Sequence, residues 1–472
     1  MAKSIVFDKW DAVRRETSEE VWELKDWIKT FALIIVLLTA CSQEPDKSEN
    51  GLLYIGTLHE LQHADVRTNW VDAFQHQHPG IDVEFLSVIG AGQLNYRDPG
   101  QIDGAAKIDE LLGGTNPPDI VALGYDDFKE AIEQNLLAPL NPMMNGSRLT
   151  EDMIEPAIVD SLRGPDGQLY GLAPVIRSSA LVYNKDLFDR AQIDYPTDGM
   201  TWNEVFELAE RMTFDNGENK VHGFTFSEEY GYPEFEEILS WYAAGSGLAM
   251  HDEQGQTMAV NNGEWRALFE RILSLTANGI YPVEAPETAF RENPFLSGDA
   301  AMTVMRDAEL YEFIQLQNDA ASQEGFEPFQ WDIVTVPVHE HTRDQGAGIS
   351  IEPIFAISGN ARNPEIARNF LEFIHSDQWV SMNVNPNQLL TFDHASDAMD
   401  ASYNKDTFFQ LRPVEQPLIR SGSFSRNPYV SDVERLGGRL FTQMYMGMMT
   451  VDEMLAKWEA EGNLLLQEIN GR

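Results

Sequence analysis

The sequence predicts an α/β protein of two or more domains, and three observations carry that prediction. The chain has 472 residues, too many for one hydrophobic core to serve. From residue 52 onward, short β-branched runs alternate with segments whose apolar residues recur at helical spacing. Glycine, proline and Asn/Asp clusters fall between these segments, where turns need them. No internal repeat or low-complexity tract interrupts the alternation.

In order, Leu52 to Leu58 reads as a first strand. Asp65 to His76 places Val66, Trp70, Val71 and Phe74 on one helical side. Pro79-Gly80 turns into the strand Ile81 to Val88. Ile102 to Leu112 reads as a helix stopped by Gly113-Gly114, followed by the strand Ile120 to Leu123 and the helix Tyr125 to Gln134. Such alternation predicts a parallel sheet with helices on both faces, whose ligands bind beyond the carboxyl ends of the strands. Those ends are Thr57 to Glu60, Ser87 to Gly92 and Leu123 to Asp127.

Ser178 to Tyr183 reads as a buried strand, and Asp186 to Arg190 as one helical turn. Thr201 and Glu204 form a capping box ahead of the helix Val205 to Met212. Val221 to Phe224 is a short strand, and Tyr232 to Ala244 and Trp265 to Asn278 are helices closed by glycines. Thr303 to Met305, Asp332 to Pro337 and Ile354 to Ser358 read as strands, with a glycine loop at Gly346 to Ile349. Asn363-Pro364 is an N-cap with proline at N1, opening the helix Glu365 to His375. A Met-rich helix around Leu440 to Met449 and a last helix, Val451 to Ile469, end the chain.

Charge and cysteine usage narrow the function classes. The net charge is −43, from 33 basic and 76 acidic residues. That argues against a nucleic-acid partner and against docking on anionic lipid through a basic patch. The single cysteine, Cys41, rules out an intramolecular disulfide. Phe31 to Leu38 is an apolar run preceded by Lys25 and Lys29 and followed by Leu38-Thr39-Ala40-Cys41 and a polar tail. It is short for a membrane span, and its layout is that of an export signal over residues 1–40. Residues 8 to 24 are acidic where such a signal is basic, which fits a start near Leu24. Residues 41–51 then form a linker.

Several motifs together resemble the extracellular solute-binding proteins of ABC importers, the family-1 type that includes maltose binders. They are Tyr170-Gly171-Leu172-Ala173-Pro174, Val182-Tyr183-Asn184-Lys185-Asp186, Pro118 to Phe128, and Asn135-Leu136-Leu137-Ala138-Pro139-Leu140. Phe295 to Met302 and Ile357 to Leu371 belong to the same set, and the resemblance covers roughly residues 52 to 470. Leu-Thr-Ala-Cys resembles a bacterial lipobox, implying diacylglycerol on the Cys41 thiol. The resemblance implies a type II periplasmic-binding-protein-like fold, two α/β lobes joined by three crossing segments around a cleft. The lobes would comprise residues 51–177 with 304–360 and residues 178–303 with 361–472. The small residues Ser178 to Ala180 would let the lobes rotate, with matching passages near Thr303 and Asn360.

The same resemblance implies a monomer tethered by lipid to the extracellular face of the bacterial cell membrane. By that resemblance it would capture a carbohydrate, an oligosaccharide by preference, and hand it to an ABC permease without catalysis or cofactor. Sugars need aromatic faces and planar polar groups in a concave site. By position the candidates are His59, Glu60, Tyr125, Asp126, Arg177, Tyr232, Glu236, Trp241 and Arg306. Two features depart from the maltose-binding pattern: Arg177 stands where that pattern has a carboxylate, and Leu123 where it has a stacking tryptophan. The pairs His76/His78 and His339/His341 lack a third metal ligand, and no serine sits in a nucleophile elbow. A ligand-binding sensor subunit and a secreted carbohydrate-active enzyme remain as alternatives.

Overall fold

A computed structural model describes residues 51–91, 104–144, 147–215, 220–226, 229–231, 233–252, 257–283, 293–320, 325–382, 389–392, 403–414 and 430–470. The expected export signal, the linker up to Asn50, Cys41 and Tyr232 lie outside the described residues. Contacts separate a small unit, Gly51 with His76–Ile81, from a large unit holding the other described residues.

The chain begins with strand β1 (Gly51–His59), helix α1 (Gln62–Val66), a π-helical turn (Arg67–Val71), α2 (Asp72–Gln77) and β2 (Ile81–Ile89). Helix α3 (Gly104–Leu112), β3 (Ile120–Leu123) and α4 (Tyr125–Glu133) follow. Short helices α5 (Asn141–Met144) and α6 (Pro156–Ser161) lead to β4 (Gly171–Leu172), β5 (Val175–Ile176) and β6 (Ser179–Asn184). Next come α7 (Lys185–Ala191), α8 (Trp202–Arg211), β7 (Phe214–Asp215), β8 (Lys220–Val221), and α9 (Phe235–Glu237) with a π turn (Ile238–Tyr242). Helix α10 (Gly263–Ala277), β9 (Met302–Arg306), α11 (Asp307–Asn318), β10 (Trp331–Thr335), β11 (Gln345–Gly346) and β12 (Ile354–Ile357) continue the chain. Helices α12 (Pro364–Ile374) and α13 (Asp377–Met382), strands β13 (Leu389–Leu390) and β14 (Arg412–Pro413), and helices α14 (Val430–Tyr445) and α15 (Val451–Asn470) close it.

Two sheets carry the fold. The first has the order β2-β1-β3-β12-β4, with β1 parallel to β3 and β12 antiparallel to both β3 and β4. The all-parallel sheet expected from the alternation is therefore mixed: β12 arrives from a distant part of the chain and inserts in the opposite sense. The second sheet, β10-β6-β9, is antiparallel, with Ser179 opposite Arg306 and Ala180 opposite Thr335. The pairing groups the chain differently from the expected lobe boundaries. β10 joins β6, although residues 304–360 were expected with the first lobe. Helices α12 and α13 pack with the first sheet, although residues 361–472 were expected with the second lobe. Trp379 stacks on Trp70 at 4.6 Å, and Phe370 meets both Phe74 and Phe355 edge-on. The backbone passes between the sheets at 177–178 and at 336–353. Thr303 lies within β9, beside β6, so no passage occurs there.

Local sequence signals explain many element ends. Thr201 and Glu204 exchange the reciprocal bonds of a capping box at α8. Pro364 stands at the start of α12, but the side chain of Asn363 makes no cap. It donates instead to the Leu52 carbonyl at 3.0 Å, while the Asn363 backbone N–H reaches Asp119 Oδ1 at 2.7 Å. Asp119, fully buried, also accepts from the Tyr54 amide, so it joins β1, β3 and α12. The second sheet lies in one large apolar cluster in which Trp202, Phe206, Trp265, Phe269 and Trp458 are buried. No described helix is long and apolar enough to cross a membrane.

Candidate functional site

The carboxyl edge of the first sheet gathers the polar groups. β1 ends on His59, and β3 runs through Gly124 into α4, so both strands deliver their ends to the same edge. β12 is antiparallel, so it begins there, bringing Glu352 and Pro353. β4 points the same way as β3 and leads through Ala173-Pro174 and β5 to Arg177. The first sheet thus brings His59, Glu60, Tyr125, Asp126, Arg177 and Glu352 to one edge.

Burial, and secondarily His63, holds the His59 imidazole below its ordinary value, which favours the neutral ring. Glu60 is exposed and its Oε2 accepts from the Ala91 amide at 3.1 Å. Tyr125 opens α4, with Lys129 Nζ 5.1 Å from its ring centre. Asp126 follows, half-buried, and Asp127 is buried.

Glu352 was not among the sequence candidates. Its side chain is exposed to solvent, yet protein atoms crowd around its carboxyl. This enclosure pushes the carboxyl up to about 7; Asp127 adds to the rise, the Tyr125 N–H opposes it, and Asp126 adds a smaller part. Glycine at 124 makes room for it: a Cβ there would lie 3.1 Å from Glu352 Oε1.

A second group sits where three segments run side by side. Arg177 and Ser350 exchange two backbone hydrogen bonds of 2.9 Å, and the Asp307 amide donates to the Ser178 carbonyl at 2.8 Å. Arg177 Nε is 3.3 Å from Oδ1 of Asp307; the arginine side chain is 49% exposed and the aspartate only 2%. Burial pushes the Asp307 carboxyl up, while Arg177 and neighbouring backbone amides hold it down. Ser178 and Ser179 are buried and tied, not loose: Ser178 Oγ donates to the Phe408 carbonyl at 3.0 Å, and Ser179 Oγ donates to that of Ala347.

Arg306 lies with its guanidinium carbon 4.6 Å from the Trp241 ring centre, and its Nη1 is 3.2 Å from Glu309. Trp241, 3% exposed, belongs to the π turn and to the apolar cluster of the second sheet. Gly348, at φ +72°, lies against its ring; a Cβ there would fall 2.8 Å from Cζ3 and 2.9 Å from Ser179 Oγ. Glu236 is exposed on α9 and faces Glu434 of α14. Burial, then Glu236, pushes the Glu434 carboxyl up to about 7, with Arg435 opposing.

Of the nine sequence candidates, the structure therefore collects five at the sheet edge and sets Arg306 against Trp241, and it places Glu236 beside Glu434. Asp307 and Glu352 escaped sequence reasoning because both act through contacts distant in sequence; only the glycine loop at 346–349 signalled that the chain passes close to other groups. Among the described residues no group of three His, Cys, Asp or Glu is placed to hold a metal ion.

Several known proteins resemble this chain in sequence or in fold. A putative binding protein of Brucella abortus is 28% identical over 159 residues, 33% of this chain, and the chain spans about a third (34%) of that relative's length. The mannitol-binding protein of Pseudomonas aeruginosa is 24% identical over 324 residues, 65% of this chain and 71% of the relative. A family 1 extracellular solute-binding protein of Alicyclobacillus acidocaldarius superimposes with TM-score 0.58 at 15% identity, over 88% of this chain and 98% of the other. The sugar-binding protein MalE of Xanthomonas citri does so with TM-score 0.51 at 16% identity, over 88% and 98%. The fold is the type II periplasmic-binding-protein fold. The model of the bacterial extracellular solute-binding proteins matches residues 62–380, and the chain belongs to that family.

Proposed function

We propose that this protein captures a carbohydrate or polyol outside the cell and delivers it to an ABC permease, without catalysing a reaction. The observation that supports the reading is that, in a chain of this family, acceptors and donors lie along one sheet edge: Asp126 after β3, Glu352 before β12, and Arg177 beyond β4, paired with Ser350. A polyhydroxylated ligand needs both kinds of group. Carboxylates accept from its hydroxyls, and guanidinium groups donate to them. The mannitol-binding relative supports the ligand class.

In this reading the first lobe is built on the first sheet with α12 and α13, and the second on the second sheet with α14 and α15. Ligand contacts made only when the lobes close shift the population toward the closed form, which the permease recognises. Cys41 carries the lipid that keeps the protein on the outer face of the cell membrane.

Thermal unfolding against a panel of sugars and polyols, including D-mannitol, maltose and D-glucuronate, tests the ligand class. A ligand at 100 times its dissociation constant stabilises the native state by about 2.7 kcal/mol. Peptides that raise the melting temperature where no panel compound does would overturn the class, and turnover of a saccharide would overturn the binding-only role. Metabolic labelling with palmitate, lost in Cys41→Ser, tests the anchor.

A further inference from the structure

Two arginines stand close together here, and their side chains are engaged differently. β9 pairs with β6 so that Arg306 lies opposite Ser179, two residues from Arg177. Arg306 is committed: its guanidinium carbon lies 4.6 Å from the Trp241 ring centre and its Nη1 is held by Glu309. Arg177 is engaged on one side only. Its contact with Asp307 is made through Nε, no other side-chain partner occurs among the described residues, and half of the side chain is open to solvent.

The Nε edge of the guanidinium is paired with Asp307 at 3.3 Å by charge and not by an aligned hydrogen bond, which leaves the two Nη groups of this half-exposed side chain as a fork without a partner among the described residues. That fork matches two oxygen atoms lying side by side, in a carboxylate or in two neighbouring hydroxyls. Asp307 is suited to fix it. Its backbone N–H is bonded to the Ser178 carbonyl, next in the chain to Arg177, and its side chain is almost wholly enclosed. The Arg177 backbone is itself fixed by its double bond to Ser350, two residues before Glu352. The base of the arginine is thus anchored and its charge is paired with a fixed carboxylate, so less side-chain entropy is lost when the fork orders on a ligand.

We propose that Arg177 grips two adjacent oxygen atoms of the ligand through its Nη pair, and that Asp307, which touches no ligand, is the positioning residue that sets the fork. This rests on the solute-binding reading above and narrows it to a ligand with a carboxylate or a pair of neighbouring hydroxyls.

The experiment is titration calorimetry of the full mature chain with the panel compound that most raises its melting temperature. The variants are Arg177→Lys, Asp307→Asn and the double variant, each with its own unfolding curve as a check on folding. Lysine keeps the charge and loses the fork, so Arg177→Lys weakens binding by about 10- to 100-fold, the worth of a charge-assisted bidentate contact. Asp307→Asn weakens it in the same direction, and the double variant is no weaker than Arg177→Lys, because the two act as one unit. Arg306→Lys serves as the comparison and loses less than Arg177→Lys. Preference of the wild type for D-glucuronate over D-glucose assigns the fork to a carboxylate; the reverse preference assigns it to a hydroxyl pair. Equal affinities in wild type, Arg177→Lys and Asp307→Asn would overturn this inference while leaving the carbohydrate reading intact. A wild type that binds no panel compound overturns that reading, and this inference with it.

Discussion

His375 makes a sharp prediction about acid stability. It follows α12, is 3% exposed, and its Nδ1 lies 2.8 Å from the Leu371 carbonyl, so Nδ1 carries the proton and donates. Nε2 is buried with no hydrogen-bond partner among the described residues, and the ring packs on Phe392. Protonating Nε2 would place a charge and an unsatisfied donor in that pocket. Burial accordingly pushes the imidazole down to about 4 from 6.5, with the Leu371 carbonyl opposing. Between pH 6.5 and 4 the unfolded chain binds this proton and the folded chain does not, so stability rises with pH across that window. The contribution is whole above pH 6.5, smaller by about 2 kcal/mol at pH 5, and smaller by about 3 kcal/mol at pH 4. His375→Phe keeps a ring against Phe392 and abolishes the titration, at a pH-independent cost of about 1 kcal/mol for the lost hydrogen bond. Urea unfolding of both proteins from pH 7 to pH 4, followed by tryptophan fluorescence, reads the difference. Relative to wild type, the variant gains about 3 kcal/mol over that range. Parallel curves for the two proteins would refute the argument, because every carboxylate they share cancels in the difference.

Two further outcomes follow from the site itself. Glu352 has a raised folded-state pKa, so its contribution to stability is complete below pH 4.5 and is lost as pH rises through about 7, the opposite sense to His375. Glu352→Gln flattens that loss; since the side chain meets solvent, the effect between pH 5 and 8 is about 1 kcal/mol rather than the larger figure its shift alone would suggest, and an unchanged slope in thermal unfolding would count against the enclosure. Gly348→Ala and Gly298→Ala both place a side chain at φ +72°, but only the first meets other atoms, on Trp241 and Ser179. Gly298→Ala should cost about 1 kcal/mol and Gly348→Ala about 1–3 kcal/mol more, with a shift in tryptophan fluorescence; equal melting temperatures would show that the Trp241 contact is slack.

The sequence was legible where local chemistry decides. The capping box at Thr201, the proline opening α12 and the β-branched runs of β1, β3 and β6 each act within a few residues of themselves. Tertiary partners decided the rest. Asn363 has the side chain of an N-cap, but its amide donates to the Leu52 carbonyl while its backbone N–H donates to the buried Asp119, so partners distant in sequence take the place of the cap. β12 reads as a strand from its composition, but nothing near it in sequence states that it enters the first sheet antiparallel, between β3 and β4. The grouping of β10 with β6 is hidden for the same reason: the partners are about 150 residues apart and joined by register alone. The π turns at Arg67–Val71 and Ile238–Tyr242 have no signature that separates them from an ordinary helix. Residue type and strand end were enough to place His59, Glu60, Tyr125 and Asp126 at one sheet edge. Glu352 and Asp307 needed the fold.

Trp241 shows how a residue chosen for the right chemistry can serve a different part of it. A tryptophan in a sugar site suggests a stacking platform, because an indole face suits the apolar face of a pyranose. Here the indole is enclosed, with Arg306 across its face and Gly348 against its edge. The ring buries a large apolar area and holds a planar cation by its π face, so what it supports is a flat guanidinium. Arg306 in turn leans on Glu309, and the β6–β9 register sets it near Arg177, which leans on Asp307. Each cation has one carboxylate beside it, so the pair is close to neutral and can stand together in a chain of net charge −43 without drawing in further acids. Recognition of the proposed kind would rely on directional hydrogen bonds more than on ring stacking. The departure at Leu123, where a stacking tryptophan is absent from the end of β3, is consistent with that shift, since the apolar side chain there is itself buried and offers no face.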